Sequence, residues 1–150
     1  YLGFITISLV LLLTADTVFG RTPTERTFEY EPKVVTLRGT LLTRTYPGPP
    51  NYESVINGDR PERVWLIRLP YPISMEADKD PNSFNQKETG IREVQVILTD
   101  LKDEAALKKH RRENVTFTGV LFHANTIHHP LTLLMDVQNY RLEKPNGSDR

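Results

Sequence analysis

The chain has 150 residues, 19 Lys+Arg against 19 Asp+Glu, and no cysteine. That length suits one domain with an appendage. Zero net charge leaves no global field to draw in nucleic acid or an anionic membrane, and the absence of cysteine excludes disulfides, thiolate metal sites, cysteine nucleophiles and a cysteine lipid anchor.

Tyr1 to Leu13 (YLGFITISLVLLL) is apolar and uncharged, and Thr14 to Gly20 is small and polar. The apolar run is shorter than the ~20 residues of a membrane span. Residues 1–20 therefore read as a secretory signal lacking its start, with cleavage after Gly20 preferred to cleavage after Ala15. This predicts a periplasmic or secreted protein with no stable membrane span after cleavage. Residues 21–33 (RTPTERTFEYEPK) read as an extended leader whose Phe28 and Tyr30 can pack on the domain edge.

Val34 to Thr45 alternates as a first strand, with Val35, Leu37, Gly39 and Leu41 on one face and Thr36, Arg38 and Thr40 on the other. A glycine inside a strand marks a bulge or a sharp bend. Tyr46 to Pro61 (YPGPPNYESVINGDRP) is too rich in proline and glycine for helix or ladder, yet it carries Tyr52, Val55 and Ile56. Such a loop folds back on something or binds something. Glu62 to Pro70 is apolar on both faces, Val64 and Leu66 against Trp65, Ile67 and Leu69, which predicts a central second strand. Tyr71 to Gly90 reads as a polar loop.

Ile91 to Thr99 is a third strand with Val94, Val96 and Leu98 inward, and Asp100 to Asn114 is the one clear helix. Asp100 can cap it, and its thin apolar stripe (Leu101, Ala105, Leu107) suits an edge or barrel end. Its basic run, Lys108 to Arg112, is explained by compensation of the negative helix end. Val115 to Phe122 and Leu131 to Arg141 are the fourth and fifth strands, and residues 144–150 form a polar tail.

Val35 to Leu41 (VTLRGTL) and Val115 to Leu121 (VTFTGVL) share Val, Thr, Gly and Leu at matching positions. Two glycine-bearing strands that pair and bend alike explain the echo. With the helix between the third and fourth strands, the order predicts a mainly β domain over 34–143: a small five-stranded OB-fold-like barrel. A small open α+β sheet is the competing architecture.

An OB-fold binds ligands on its second and third strands, flanked by the loop between strands one and two and the loop between four and five. Here those loops are YPGPPNYESVINGDRP and HANTIHHP. The expected ligand-binding set is Tyr52, Glu53, Arg63, Trp65, His123, Thr126, His128 and His129. His123, His128 and His129 are also candidate ligands for Zn²⁺, Cu²⁺ or Ni²⁺, although HxxxxHH matches no strong metal spacing, and a polar turn of hydrogen-bonded histidines is the simpler account. Trp65, Arg63, Arg68 and Arg92 could serve single-stranded nucleic acid, which the neutral charge disfavours. Serine-nucleophile, zinc-helix and phosphate-loop motifs are absent, and Glu53, Asp59, Glu62 and Asp136 have no pairing that marks an acid–base couple. Asn114-Val115-Thr116 and Asn146-Gly147-Ser148 are formal glycosylation sequons.

Taken together, VVTLRGTLLTRTYPGPPNYESVINGDRPERVWLIRL and VTFTGVLFHANTIHH resemble a bacterial family of exported proteins catalogued as domain of unknown function 4431. The resemblance spans Val34 to Val137, and its specific parts are PGPPNYES and FHxxTxHH. It implies an envelope or secreted location, brings no established activity and carries over no catalytic residue. The expected function is a non-enzymatic exported module binding a protein, glycan or small ligand. The alternatives are a periplasmic metal-binding protein using the three histidines, and a hydrolase with unassigned acid–base residues.

Overall fold

In a computed structural model the described residues are 25–126 and 128–143. The expected signal (1–20), the start of the leader and the tail (144–150) lie outside them. The elements are β1 (Arg26–Phe28), β2 (Val34–Pro47), β3 (Pro61–Met75), β4 (Glu88–Ile97), α1 (Leu101–Leu107), β5 (Asn114–His123) and β6 (Leu133–Leu142).

Among the described residues the protein is mainly β with one short helix, and the six strands form a single sheet. Five of them pair in a ring. β2 runs antiparallel to β3 and β5, β3 to β4, and β5 to β6, while β4 and β6 pair in parallel. β1 adds in parallel to the end of β3, at Ile73–Met75. Inward side chains from every ring strand meet in one core that includes Leu37, Leu41, Ile67, Val94, Val96, Phe117, Leu121 and Met135.

The glycine echo has a geometric cause. β2 and β5 are antiparallel, and their register sets Val35 opposite Gly119 and Gly39 opposite Val115. Gly39 stands where β2 leaves β5 for β3: pairing with β3 begins at Thr40 opposite Arg68. A Cβ on Gly39 would collide with the Arg68 carbonyl, and one on Gly119 with the Asp136 carbonyl. The β5–β6 register shifts between Thr118 and Gly119. Both glycines therefore let backbones approach closely at bends of the ring.

β3 runs past Pro70 to Met75, through a stretch expected to be loop. Pro70 and Pro72 fall in the gap between partners, after the last β2 contact at Arg68 and before the β1 contact at Ile73, so no ladder N–H is missing there. The helix is shorter than its pattern suggested. Asp100 caps it by accepting from Lys102 N at 2.7 Å. Leu107 is fully buried in the core and docks this element, whereas Ala105 is exposed. Lys108–His110 form a 3-10 turn beyond it.

The leader stretch contributes more than an edge contact. Tyr30 is only 3% exposed, and its hydroxyl reaches the Gln86 carbonyl at 2.7 Å and Glu88 Oε1 at 2.9 Å. Burial, and then the bond to Glu88, push the Tyr30 phenol well above its usual range. Glu31 N donates to the Leu121 carbonyl at 2.7 Å, tying this segment to β5.

Candidate functional site

The site is built on the outer face of β3, β4 and β6. One rung crosses it: Leu42 pairs with Leu66, Leu66 with Gln95, and Gln95 with Leu134. Leu66, Gln95 and Leu134 are buried although they point away from the ring's interior, so something covers this face. Part of the cover is Arg44. From β2 its guanidinium reaches across β3 and donates two hydrogen bonds to Glu93 on β4, at 2.7 and 2.8 Å. Arg68 adds two more to the same carboxylate, at 3.1 and 2.8 Å. The Arg44 hydrogen bonds, with help from Arg68, lower the Glu93 pKa to about 2.

The proline-rich loop flanks this face as a compact body. Its ends are clamped, with Gly48 N donating to the Arg60 carbonyl at 2.8 Å and Arg60 N to the Pro49 carbonyl at 2.9 Å. At its centre the buried Asp59 carboxylate accepts from the backbone N–H groups of Asn51 (2.9 Å), Glu53 (2.8 Å) and Ser54 (2.8 Å). Those donors, Ser54 first, hold the Asp59 carboxyl below its ordinary range. Wrapping the chain around one carboxylate forces Tyr52 into the left-handed region, at φ 60. That conformation is strained for a residue with a Cβ. The tip of the loop carries Ile56, which is 97% exposed.

The second loop meets the first. Tyr52 stacks on His128, ring centroids 4.6 Å apart and planes 17° apart. Beside them Gln95 Nε2 donates to His129 Nδ1 at 3.2 Å, while Gln95 Oε1 is buried without a partner among the described residues. Thr126 orders the turn, its hydroxyl accepting from His128 N at 3.3 Å and its carbonyl from His129 N at 3.5 Å.

Of the expected set, Tyr52, Thr126, His128 and His129 are thus brought together. Glu53 enters only through its backbone, as a donor to Asp59. Arg63 is exposed at the start of β3, opposite Thr45. Trp65 does not reach the outer face: it is 7% exposed and belongs to the core. The even-numbered residues of β3, Val64, Leu66 and Arg68, face outward in its place.

His123 also stands apart from the other two histidines. Its Nδ1 donates to the Ala124 carbonyl at 2.7 Å, and its Nε2 lies 3.6 Å from Glu88 Oε1. Glu88 also receives Tyr30 and, at 2.9 Å, the Thr132 hydroxyl, so His123 belongs to the cluster that anchors the leader stretch. Among the described residues no three of His, Asp and Glu converge as a metal centre. No helix among them is long and apolar enough to cross a membrane.

Sequence reasoning missed Gln95, Arg44 and Glu93, and weighed Asp59 only as an acid–base candidate. A signal existed for Gln95, the one polar residue inside the Val94–Val96 run. The role of Asp59 depends on a loop conformation that no pattern encodes.

No curated protein and no solved structure matches the chain. Residues 93–141, from the middle of β4 into the last residues of β6, match the model of a family described as Domain of unknown function (DUF4431). The match includes the His123–His129 turn and leaves out the proline-rich loop. Over that stretch, about a third of its length, the chain is similar to the DUF4431 family.

Proposed function

We propose that the protein is an exported, non-enzymatic binding module of the OB-fold type, engaging its partner through the 48–60 loop and the 124–130 turn. The ring connectivity supports the fold type. Its strands follow one another as β2, β3, β4, β6, β5 and back to β2, with the helix between β4 and β5. The apolar run at Tyr1–Leu13 supports export.

The observation that carries the binding role is the preformed loop. Its ends are clamped, its centre is organised by Asp59, and its strained Tyr52 lies on His128. Backbone strain of this kind is retained at recognition and catalytic sites more than in plain connections. The same rigid loop holds Ile56 in solvent, and a preordered loop loses little entropy on binding. A protein surface is the partner that this apolar tip fits best.

Two variants test the role. Tyr52→Asn removes the ring and keeps a residue that tolerates positive φ, and Ile56→Asp reverses the character of the tip. Each is expected to change unfolding free energy by less than about 1 kcal/mol, since neither side chain is buried in the core. Both are expected to abolish capture of a partner that the wild type retains from an envelope or secreted fraction. A loss of more than about 3 kcal/mol in Tyr52→Asn would make the loop a packing element. Partner capture indifferent to both changes would remove the loop from the binding surface.

A further inference from the structure

The basic run Lys108–Arg112 plays no part in the site above; it compensates the end of the helical segment, as expected, and its side chains also converge. α1 ends at Leu107 with Lys108 as its C-cap, and Lys108, Lys109 and His110 form the last turn of its 3-10 continuation. The cations stand beyond it, in the 3-10 turn and the bend before β5. There Lys108, Lys109, Arg111 and Arg112 line a single cavity of about 390 Å³ with Leu42 and Thr43 of β2.

The fold enforces this convergence. Arg112 N donates to the Leu41 carbonyl at 2.7 Å, and Leu41 N donates to the Glu113 carbonyl at 2.9 Å, which laces the bend to β2. Arg112 is held in the left-handed region, at φ 72. Arg111 Nε donates to the Lys108 carbonyl at 3.2 Å, folding its side chain back over the turn. Among the described residues, none of the four cations pairs with a carboxylate, and the acid within the segment, Glu113, is engaged by His110 at 2.9 Å. Four like charges therefore share one concavity without a counter-charge.

We infer that this cavity is a binding site for a phosphate-bearing anion, independent of the Tyr52–His128 surface. Guanidinium forks match phosphate oxygens in pairs, and lysines add mobile point charges. A nucleic-acid duplex would call for a basic stripe over a longer surface. The chain has zero net charge and concentrates these cations in one cavity, the footprint of a single phosphoryl or pyrophosphoryl group. A soluble phosphate ester and an anionic lipid headgroup share that chemistry.

The test uses the full chain in two arms. One titrates inorganic pyrophosphate by calorimetry. The other measures co-sedimentation with vesicles of phosphatidylglycerol and phosphatidylcholine, against phosphatidylcholine alone. Lys109→Glu/Arg111→Glu is compared with Lys79→Glu/Lys87→Glu, which changes the net charge equally outside the cavity. The expected result is pyrophosphate binding, weakened by salt and at least about tenfold weaker in the cavity variant, with the control unchanged. Vesicle binding with that same pattern, and no response to pyrophosphate, also supports the site and assigns it to lipid. Absence of binding in both arms, or equal loss in both variants, overturns it. If the charge reversals unfold the chain on melting, Lys109→Ala/Arg111→Ala replaces them.

Discussion

Glu93 is the side chain whose protonation matters most to the outer face. It accepts four N–H groups from Arg44 and Arg68, and its pKa falls to about 2 from an ordinary 4.5. A carboxylate with a lowered folded-state pKa contributes stability that is fully present above its unfolded value. That stability is lost as pH falls towards the folded one. The window here therefore runs from pH 4.5 down to about 2. The shift corresponds to at most about 3 kcal/mol, reduced by solvent screening of the more exposed Arg68. Urea denaturation across that window should show wild type losing stability relative to Glu93→Gln. Parallel curves for the two proteins would mean that the arginines leave the folded-state titration of Glu93 unchanged.

Among the elements, β2 and β5 show how two residues shape a sheet. Each strand places a glycine opposite a valine of the other, and each glycine lies against the carbonyl of a third strand. The missing side chain is a steric requirement, since an added methyl would meet backbone that cannot rotate away. Gly119→Ala should cost about 2–4 kcal/mol, as overpacking against fixed backbone does. Thermal melting checks it, and a neutral outcome would mean that β6 can shift to make room. α1 makes the opposite point: the buried Leu107 docks it, and its propensity extends no further than the 3-10 turn.

At the scale of the whole molecule, the leader stretch and the ring behave as one body. Tyr30 is buried in the ring's core cluster and anchored to Glu88, the acid that also receives Thr132 and lies near His123. Tyr30→Phe should lower stability by about 1–2 kcal/mol, the cost of leaving a partly buried acceptor less satisfied. Unfolding should remain a single transition by fluorescence and circular dichroism. Two separate transitions would show that residues 25–33 are an independent appendage.

Much of the ring was legible in the residues alone. Alternation in Val35–Leu41, in Val94–Val96 and in Val115–Leu121 assigned inward faces, because a half-buried strand exposes every second side chain. The glycine echo foretold which distant strands pair. At β3, Val64, Trp65, Leu66 and Ile67 are all buried, as a central strand requires, with Val64 and Leu66 on the face opposite Trp65 and Ile67. A strand covered on both sides does not say which face holds a site, so Trp65, expected among the ligand-binding residues, belongs to the core instead. Sequence by itself determined the five ring strands, the helix position and the two unusual loops, since these follow from local periodicity and from proline and glycine chemistry. Tertiary structure alone decided that Tyr52 meets His128, that His123 turns instead to Glu88, and that four cations share one cavity. Those contacts join segments far apart in the chain, and closure of the ring brings them within reach.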